Sequence, residues 1–263
     1  MPVQPSLPLV VANWKMNLSQ AESVLLARAL RRTYVADKMG TRLELVLCPS
    51  FPALAGVATA LKGSGIKLGA QDVFWKTAGP YTGEVSPEVL KELGVTYVLV
   101  GHSERRQYLG ETDAMVQQKV LAALAAGLTP VLCVGETYSE RTSGRREIVI
   151  AQEVRTGLSG ASLAAGQRVV IAYEPVWVIG SGQAVPPSEA QQASRVVRET
   201  LLELLPASEL SNTAVLYGGS VDPEVRPTRM HRDIHFSRRA ARITARRSLI
   251  RNVCSVKPSM KRS

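Results

Sequence analysis

Short, nearly continuous apolar runs recur along the first 217 residues, and stretches with apolar residues at every third or fourth position separate them. The runs are rich in β-branched residues and do not alternate with polar ones, which is typical of strands covered on both faces in a parallel sheet. We therefore predict seven parallel strands, at Leu7–Ala12, Leu43–Cys48, Ile66–Ala70, Tyr97–Gly101, Pro130–Val134, Val169–Tyr173 and Thr213–Tyr217.

Two of the intervening stretches carry clear helix boundaries. One helix is predicted to start at Asp113 as its N-cap and to end at Gly127. Another is predicted to open with a capping box formed by Ser188 and Gln191 and to end at Pro206. The inward-facing residues expected on these helices are Val116, Val120, Leu121 and Leu124 on the first, and Val197, Leu201 and Leu204 on the second.

Strands and helices alternate at roughly 30–40 residues per unit, as in right-handed βαβ connections. The chain is therefore α/β, and its 263 residues fit one large domain. A doubly wound open sheet would accommodate seven strands. A closed barrel is favoured because polar motifs follow strands 1, 4, 6 and 7 and can meet at one mouth.

The charge is distributed very unevenly. Residues 227–263 hold eleven Lys/Arg and one acid, so residues 1–226 keep 21 of the 32 basic and 21 of the 22 acidic residues. We expect a (β/α)8-type domain over 1–226 and a basic tail of unassigned structure over 227–263. Such a tail can bind a phosphate backbone or an acidic partner, but the neutral domain gives no reason to expect nucleic-acid binding.

The remaining composition excludes several classes of protein. Cys48 and Cys133 lie in strand-like runs and are predicted to be buried free thiols of a cytoplasmic protein, and Cys254 completes a set without metal-ligand spacing. No apolar run approaches the roughly 20 residues that span a bilayer. Met1 to Pro8 lacks the pattern of a secretory signal.

Glu174 is the best candidate for a catalytic base. It ends an apolar run and precedes Pro175, and a carboxylate at such a position can remove a proton from a carbon beside a carbonyl group. The following segment, from Pro175 to Gly182, has stiff residues at one end and glycines at the other, which suits a lid that moves as a unit.

Two further motifs supply complementary groups. His102 precedes Ser103, which is predicted to cap a short helix whose positive end disfavours a charged imidazole. Asn13 and Lys15 alternate with two apolar residues after the first strand, so Lys15 is expected to present a fixed positive charge to an anion. Gly218-Gly219-Ser220 can offer backbone N–H groups to a phosphate.

With these residues in this order, the chain resembles the triosephosphate isomerase family over roughly residues 8–224. The motifs that carry the resemblance are Asn13-Trp14-Lys15-Met16-Asn17, Tyr97 to Arg106, Tyr173-Glu174-Pro175-Val176-Trp177 and Tyr217-Gly218-Gly219-Ser220-Val221. The resemblance implies a (β/α)8 barrel that interconverts dihydroxyacetone phosphate and D-glyceraldehyde 3-phosphate, in glycolysis and gluconeogenesis, without a metal or an organic cofactor.

The same resemblance assigns roles to individual residues. Glu174, His102 and Lys15 are catalytic, with Glu104 holding Lys15. Thr82 is the tip of a loop, residues 71–84, that docks into the second subunit of a homodimer. The substrate, a small phosphorylated triose, is expected to contact Asn13, Lys15, Gly180, Gly219 and Ser220.

The chain departs from the family in two places. Val178, Ser181 and Gln183 replace the usual Ala, Thr and Lys of the lid. Nothing in residues 227–263 matches the eighth strand and its Gly-Gly turn, so the eighth unit is expected to be missing or degraded. We hypothesise a shifted reading frame near codon 226, since suitable codons for residues 236–244, read one base later, can encode the expected turn.

Three functions compete at this point. The first is an active isomerase. The second is a catalytically impaired barrel remnant whose basic tail binds nucleic acid or acidic partners. The third, a sugar-phosphate binder on the same fold, requires the base to be absent, whereas Glu174 is present.

Overall fold

The computed structural model describes residues 7–178 and 185–218. The predictions for Gly180, Gly219, Ser220, Cys254 and the basic tail lie outside the described residues. Seven strands are present: β1 Leu9–Asn13, β2 Glu44–Cys48, β3 Lys67–Ala70, β4 Val95–Val100, β5 Thr129–Val134, β6 Val169–Tyr173 and β7 Thr213–Tyr217. All seven predicted strands are confirmed, with ends that differ by at most two residues.

Helices connect the strands in regular alternation. They are α1 Gln20–Ala36, α2 Leu54–Leu61, α3 Pro87–Glu92, α4 Ser103–Leu109, α5 Asp113–Ala125, α6 Tyr138–Thr142, α7 Arg146–Gly157, α8 Pro187–Leu204 and α9 Ala207–Leu210. Short 3-10 turns at Met39–Thr41, Phe51–Ala53 and Val176–Val178 complete the described elements.

The strands form one sheet in the order β1 to β7, and every neighbouring pair is parallel. Sequential parallel strands with crossover helices are the arrangement of a (β/α) barrel. Within residues 7–178 and 185–218, β1 at one end of the sheet pairs with β2, and β7 at the other end pairs with β6. The described strands therefore form seven units of a nearly closed barrel. The α/β barrel prediction is confirmed for these seven units.

Apolar side chains lie in two separate layers, as a barrel requires. A smaller cluster fills the interior and includes Val46, Leu99, Val131 and Val170. A larger cluster occupies the space between the outer face of the sheet and the helices. Successive residues of one strand divide between the layers, since Leu99 lies inside the barrel whereas Val98 and Val100 pack against helices.

Two predicted helix caps are wrong, and each has a local cause. Thr112, not Asp113, caps α5, because Asp113 is engaged with Arg106. The predicted capping box of Ser188 and Gln191 is not formed; α8 begins at Pro187, whose ring suits the first helical turn. The helices still end where expected, at a left-handed Gly127 and before Pro206.

Two predicted inward positions are also wrong. Leu204 is 37% exposed at the end of α8, and Leu121 is only partly buried on α5. The remaining predicted stripe residues, Val116, Val120, Leu124, Val197 and Leu201, are buried. In the part of the chain that the structure describes, no helix has the length and apolar character needed to cross a membrane.

Candidate active site

The carboxyl ends of the parallel strands bring the sequence motifs to one face of the barrel. Asn13 is the last residue of β1, Glu174 directly follows β6 and Gly218 directly follows β7. His102 lies two residues beyond β4. Because all seven strands run the same way, these groups share the mouth at which barrel enzymes place their chemistry.

The backbone of Glu174 is held closely by its neighbours, whereas its carboxylate makes long contacts. Its N–H donates to the carbonyl of Val134 at 2.8 Å. Two glycines pack against it so closely that a Cβ at Gly135 would lie 1.8 Å from the Glu174 carbonyl oxygen and one at Gly218 would lie 2.8 Å from its Cγ. A larger residue at Gly135 would displace the Glu174 backbone, and one at Gly218 would displace its side chain.

The side chain of Glu174 is 10% exposed, and each of its two oxygens makes a long contact with a described residue. Ser103 Oγ lies 3.4 Å from Oε2, and His102 Nε2 lies 3.4 Å from Oε1. Both distances are at the weak end of the hydrogen-bond range. A buried carboxylate with such weak partners can accept a proton from a bound molecule.

His102 is itself the cap of α4. Its Nδ1 accepts the backbone N–H of Glu104 at 3.2 Å, and Ser103 is the first helical residue rather than the cap that we predicted. A nitrogen that accepts a hydrogen bond carries no proton, so the ring is neutral with its proton on Nε2. The Nε2–H group faces the Glu174 carboxylate. It can donate a hydrogen bond to the carbonyl oxygen of a bound molecule.

Lys15 stands on a backbone that other side chains hold in place. Its φ of 52° is in the left-handed region, which is uncommon for a residue with a side chain. The Lys15 N–H donates to Asn13 Oδ1 at 2.9 Å, and Gln71 Nε2 donates to the Lys15 carbonyl at 2.8 Å. The backbone therefore aims Lys15 in a direction that it would not adopt alone.

The ammonium group of Lys15 lies 2.6 Å from Glu104 Oε1, as the resemblance implies. Both side chains are about one-third exposed, at 34% and 39%, so the group is open to a ligand. The predicted alternation fails at Met16, which is 93% exposed whereas Trp14 is 2% exposed. The left-handed turn at Lys15 breaks the period of two expected after a strand.

A second carboxylate, Glu136, escaped the sequence analysis. It is fully buried and accepts hydrogen bonds from Trp177 Nε1 at 2.9 Å and from the Tyr173 hydroxyl at 3.3 Å. Glu136 follows β5 directly after Gly135, the same strand-end position that singled out Glu174. That position was a signal available in the sequence.

Arg141 was missed as well, and it contacts both sides of the lid segment. Its guanidinium lies 4.2 Å from the ring centroid of Trp177 and donates to Glu189 on α8, with Nη2 2.9 Å from Oε1. Trp177 precedes residues 179–184 and Glu189 follows them. Glu136 and Arg141 thus hold Trp177 in place, and Arg141 links it to Glu189 on α8.

The two cysteines within the described residues are free and buried, as predicted. Burial raises the pKa of the Cys48 thiol to about 12. Burial, and then the neighbouring charge of Glu174, raises the pKa of the Cys133 thiol well above its usual value. Both side chains therefore remain neutral thiols at physiological pH.

The loop of residues 71–84 projects from the barrel. Lys76 to Glu84, including Thr82, are exposed. The Phe74 ring contacts Trp75 and Tyr81 with centroid distances of 4.0 and 4.7 Å. At its base, Lys119 Nζ contacts Asp72 and Glu111 at 2.7 Å, and these three side chains are buried. The exposed tip therefore rests on a firmly held base.

Taken together, the mouth contains a carboxylate, a neutral imidazole N–H donor and an ammonium group. This set can move a proton from the carbon next to a carbonyl group to the carbonyl carbon and can stabilise the oxyanion formed on the way. Across residues 7–178 and 185–218, no group of three or more His, Cys, Asp or Glu side chains could hold a metal ion.

Comparisons with known proteins agree with this geometry. The profile of the triosephosphate isomerase family matches residues 8–233. A triosephosphate isomerase from Caldanaerobacter subterraneus subsp. tengcongensis is 44% identical over 217 residues, which cover 82% of this chain and 86% of that protein. One from Moorella thermoacetica is 45% identical over 218 residues, covering 82% and 85%. One from Dictyoglomus thermophilum is 40% identical, covering 82% and 86%.

Proposed function

This chain belongs to the triosephosphate isomerase family, and we propose that Glu174, His102 and Lys15 carry out the proton transfers of its reaction. Its function is the interconversion of dihydroxyacetone phosphate and D-glyceraldehyde 3-phosphate, a step of glycolysis and gluconeogenesis. The single observation that supports the assignment of roles best is the 3.4 Å approach of His102 Nε2 to Glu174 Oε1 at the mouth of the barrel.

The proposed reaction needs only these groups and the substrate. The Glu174 carboxylate removes a proton from the carbon next to the carbonyl, while His102 Nε2–H donates to the carbonyl oxygen, which gives an enediol(ate). Glu174 then returns the proton to the former carbonyl carbon, while His102 Nε2 takes back a proton from the hydroxyl group on the first carbon, which becomes the new carbonyl. This division of roles is known for triosephosphate isomerases and is taken over from them. Each positioned acid or base contributes roughly 10²–10⁴-fold to the rate.

Lys15 supplies the fixed positive charge. Its ammonium group sits beside Glu104 while remaining one-third exposed, so an incoming phosphate can share it. Asn13 holds the Lys15 backbone through its side-chain oxygen. Gly180, Gly219 and Ser220 are proposed, from the resemblance alone, as the remaining phosphate contacts.

The direct test is turnover of the purified full chain in a coupled assay, compared with Glu174→Gln. The amide has nearly the same shape but no basic oxygen, so kcat should fall at least about 10³-fold with little change in KM. Glu203→Gln, in an exposed ion pair with Arg155, is the matched control and should turn over normally. Full activity in Glu174→Gln would remove the base from the mechanism, and an inactive parent chain would overturn the function itself.

We also propose that the enzyme is a cytoplasmic homodimer. Support for the dimer comes from the exposed tip around Thr82 and from Met16, which is 93% exposed although apolar. Two buried free thiols suit a reducing compartment. Light scattering of the full chain should give about twice the mass of 28.4 kDa, and Thr82→Arg should shift it toward that monomer value. A monomeric parent chain would refute the dimer.

We also propose a domain boundary near residue 226. The family match ends at residue 233, close to where the basic tail begins. Sequencing the coding DNA through this region tests the shifted frame, because a continuous frame without a hidden Leu-Val-Gly-Gly refutes it. The comparisons do not favour the alternative of a barrel remnant that binds nucleic acid through its tail.

A further inference from the structure

Glu153 is a carboxylate on α7 that lies behind the active site and takes no direct part in the proposed reaction. Its side chain is 13% exposed. One oxygen accepts the backbone N–H of Gly135 at 2.8 Å, and the other lies 3.7 Å from Arg106 Nη1. A carboxylate that is nearly enclosed and bonded to a loop and to another helix constrains both.

The first of these contacts leads to the catalytic base. Gly135 directly follows β5 and lies against Glu174 so tightly that a Cβ there would meet the Glu174 carbonyl oxygen at 1.8 Å. Glu174 also donates its N–H to Val134, the residue before Gly135. Fixing the Gly135 N–H therefore fixes the surface on which the Glu174 backbone rests.

The second contact leads to the imidazole. Arg106 Nε donates to the carbonyl of Gly101 at 2.9 Å, and Gly101 immediately precedes His102. Gly101 has a φ of 74°, and a Cβ there would lie 3.2 Å from Arg106 Nη2. Because Arg106 holds the left-handed turn from which His102 projects, any shift of its guanidinium alters the direction of the ring.

We propose that Glu153 is a positioning residue that sets the separation of His102 and Glu174 by holding Gly135 with one oxygen and Arg106 with the other. The proposal rests on the proposed function of those two residues. In this proposal Glu153 does not contact the substrate. Its role is to keep the residues that follow β4 and β5 at a fixed separation.

The protonation state of Glu153 controls the contact with Arg106. Burial raises the pKa of this carboxyl to about 7; Arg106 and the Gly135 N–H oppose that rise, and Asp113 and Glu140 add to it. Asp113 on α5 also binds Arg106. Two ion pairs join α7 to α8, Arg146 with Glu189 and Arg155 with Glu203. In each pair the two opposite charges balance. Below about pH 7 the protonated carboxyl keeps the Gly135 N–H but loses its charge attraction to the guanidinium, which then leans on Asp113 and the Gly101 carbonyl alone among the contacts described.

The test compares Glu153→Gln, Glu153→Leu and the control Glu147→Gln, an exposed position on the same helix. The amide of Glu153→Gln still accepts the Gly135 N–H but does not titrate. We expect the kcat of the parent chain to fall about two- to fivefold as the pH drops through 7, with KM unchanged, and this limb to be absent in Glu153→Gln. Glu153→Leu should lose about tenfold in kcat at every pH, again with KM unchanged.

Nitrogen NMR of the histidines gives a second readout that needs no turnover. The chain has three histidines, so the His102 ring signals can be assigned by substitution. In the parent chain these signals should shift with a midpoint near pH 7, and in Glu153→Gln that step should vanish. Glu147→Gln should retain it.

Several results would overturn the proposal. They are an unchanged pH limb and an unchanged NMR step in Glu153→Gln, or a change in KM without one in kcat in Glu153→Leu. If Glu153→Leu does not fold, Glu153→Gln alone decides. An inactive parent chain with a normal NMR step would contradict the proposed function while leaving the positioning of His102 supported.

Discussion

Each end of the barrel carries a glutamate among polar side chains, Glu44 at the amino end and Glu174 at the carboxyl end. The distances from these two glutamates to their partners differ. At the amino end, the Tyr97 hydroxyl donates to Glu44 at 2.6 Å, and Arg168 Nη1 lies 2.9 Å from Glu44 and 3.1 Å from the Tyr97 oxygen. At the carboxyl end, Glu174 Oε1 lies 3.4 Å from His102 Nε2, and its Oε2 lies 3.4 Å from Ser103 Oγ.

The comparison of Glu44 with Glu174 shows that the closeness of a glutamate's partners, and not its residue type, separates a structural carboxylate from one that is available to react. Glu44 uses its oxygens on close partners and closes the bottom of the barrel. Burial, and then Glu44, raises the pKa of the Tyr97 hydroxyl, so this hydroxyl stays uncharged at physiological pH. Glu174 and His102 keep their reactive atoms available because backbone and glycines hold them from behind.

The largest expected effect comes from removing the imidazole. His102→Ala takes away the Nε2–H donor beside Glu174, so kcat should fall about 10²–10⁴-fold. It also removes the cap of α4, which should cost about 1 kcal/mol of unfolding free energy. Steady-state kinetics and urea unfolding measure the two effects. A variant with normal kcat would place His102 among the structural groups.

The next effect concerns stability and pH at Glu153. A carboxyl with a pKa of about 7 when folded and 4.5 in its usual state binds more protons in the folded chain between these values. The free energy of unfolding of the parent chain should therefore decline as pH rises from 4.5 to 7, by up to about 3 kcal/mol, and then level off.

Glu153→Gln removes that decline, so its stability relative to the parent chain should increase from pH 5 to pH 8. Urea unfolding at both pH values measures the difference, with Glu147→Gln as the control that should follow the parent. Parallel curves for Glu153→Gln and the parent chain would show that Glu153 ionises normally in the folded barrel.

A smaller effect is expected at the amino end. Arg168→Met leaves Glu44 and Tyr97 without their cationic partner, which should cost about 2 kcal/mol of stability because the side chains are partly covered. Since these groups lie at the other end of the strands, kcat should stay within twofold of the parent value. Thermal unfolding and the coupled assay check both statements. A large loss of kcat with unchanged stability would invert the comparison.

The smallest effect is expected at the start of the lid. Trp177→Phe removes the N–H that donates to buried Glu136 but keeps a ring for Arg141 to cover. The lost bond should cost about 1 kcal/mol locally and change kcat only a few-fold. Kinetics with Trp177→Phe, compared with Trp75→Phe in the loop of residues 71–84, test this. Equal effects at both positions would show that Trp177 has no special link to the lid.

The strands could be predicted, and the proposed catalytic residues could be singled out, because their signals are local. A run such as Val169–Tyr173 is apolar because both of its faces are buried, and Glu174 stands out at its end. Helix caps were less predictable because side chains compete for them. Asp113 has the chemistry of a cap, but Arg106, seven residues earlier, binds it and leaves the cap to Thr112.

Other features depend on contacts that sequence spacing does not reveal. The turn at Lys15 is left-handed because Asn13 and Gln71 hold it there, and Gln71 is far away in the chain. Glu153 stands three residues after buried Ile150 on α7, so helical periodicity could have marked it as an inward carboxylate. Its link to Gly135 and Arg106 required the fold.

Solvent-deuterium exchange into dihydroxyacetone phosphate tests the central claim most directly. The full chain is incubated with this substrate in heavy water, and the carbon-bound hydrogens are followed by proton NMR. If Glu174 and His102 act on one bound triose phosphate, deuterium should enter at the carbon that carries the hydroxyl group, and Glu174→Gln should abolish the exchange. Exchange at the same rate in Glu174→Gln, or none in the parent chain, would contradict the account.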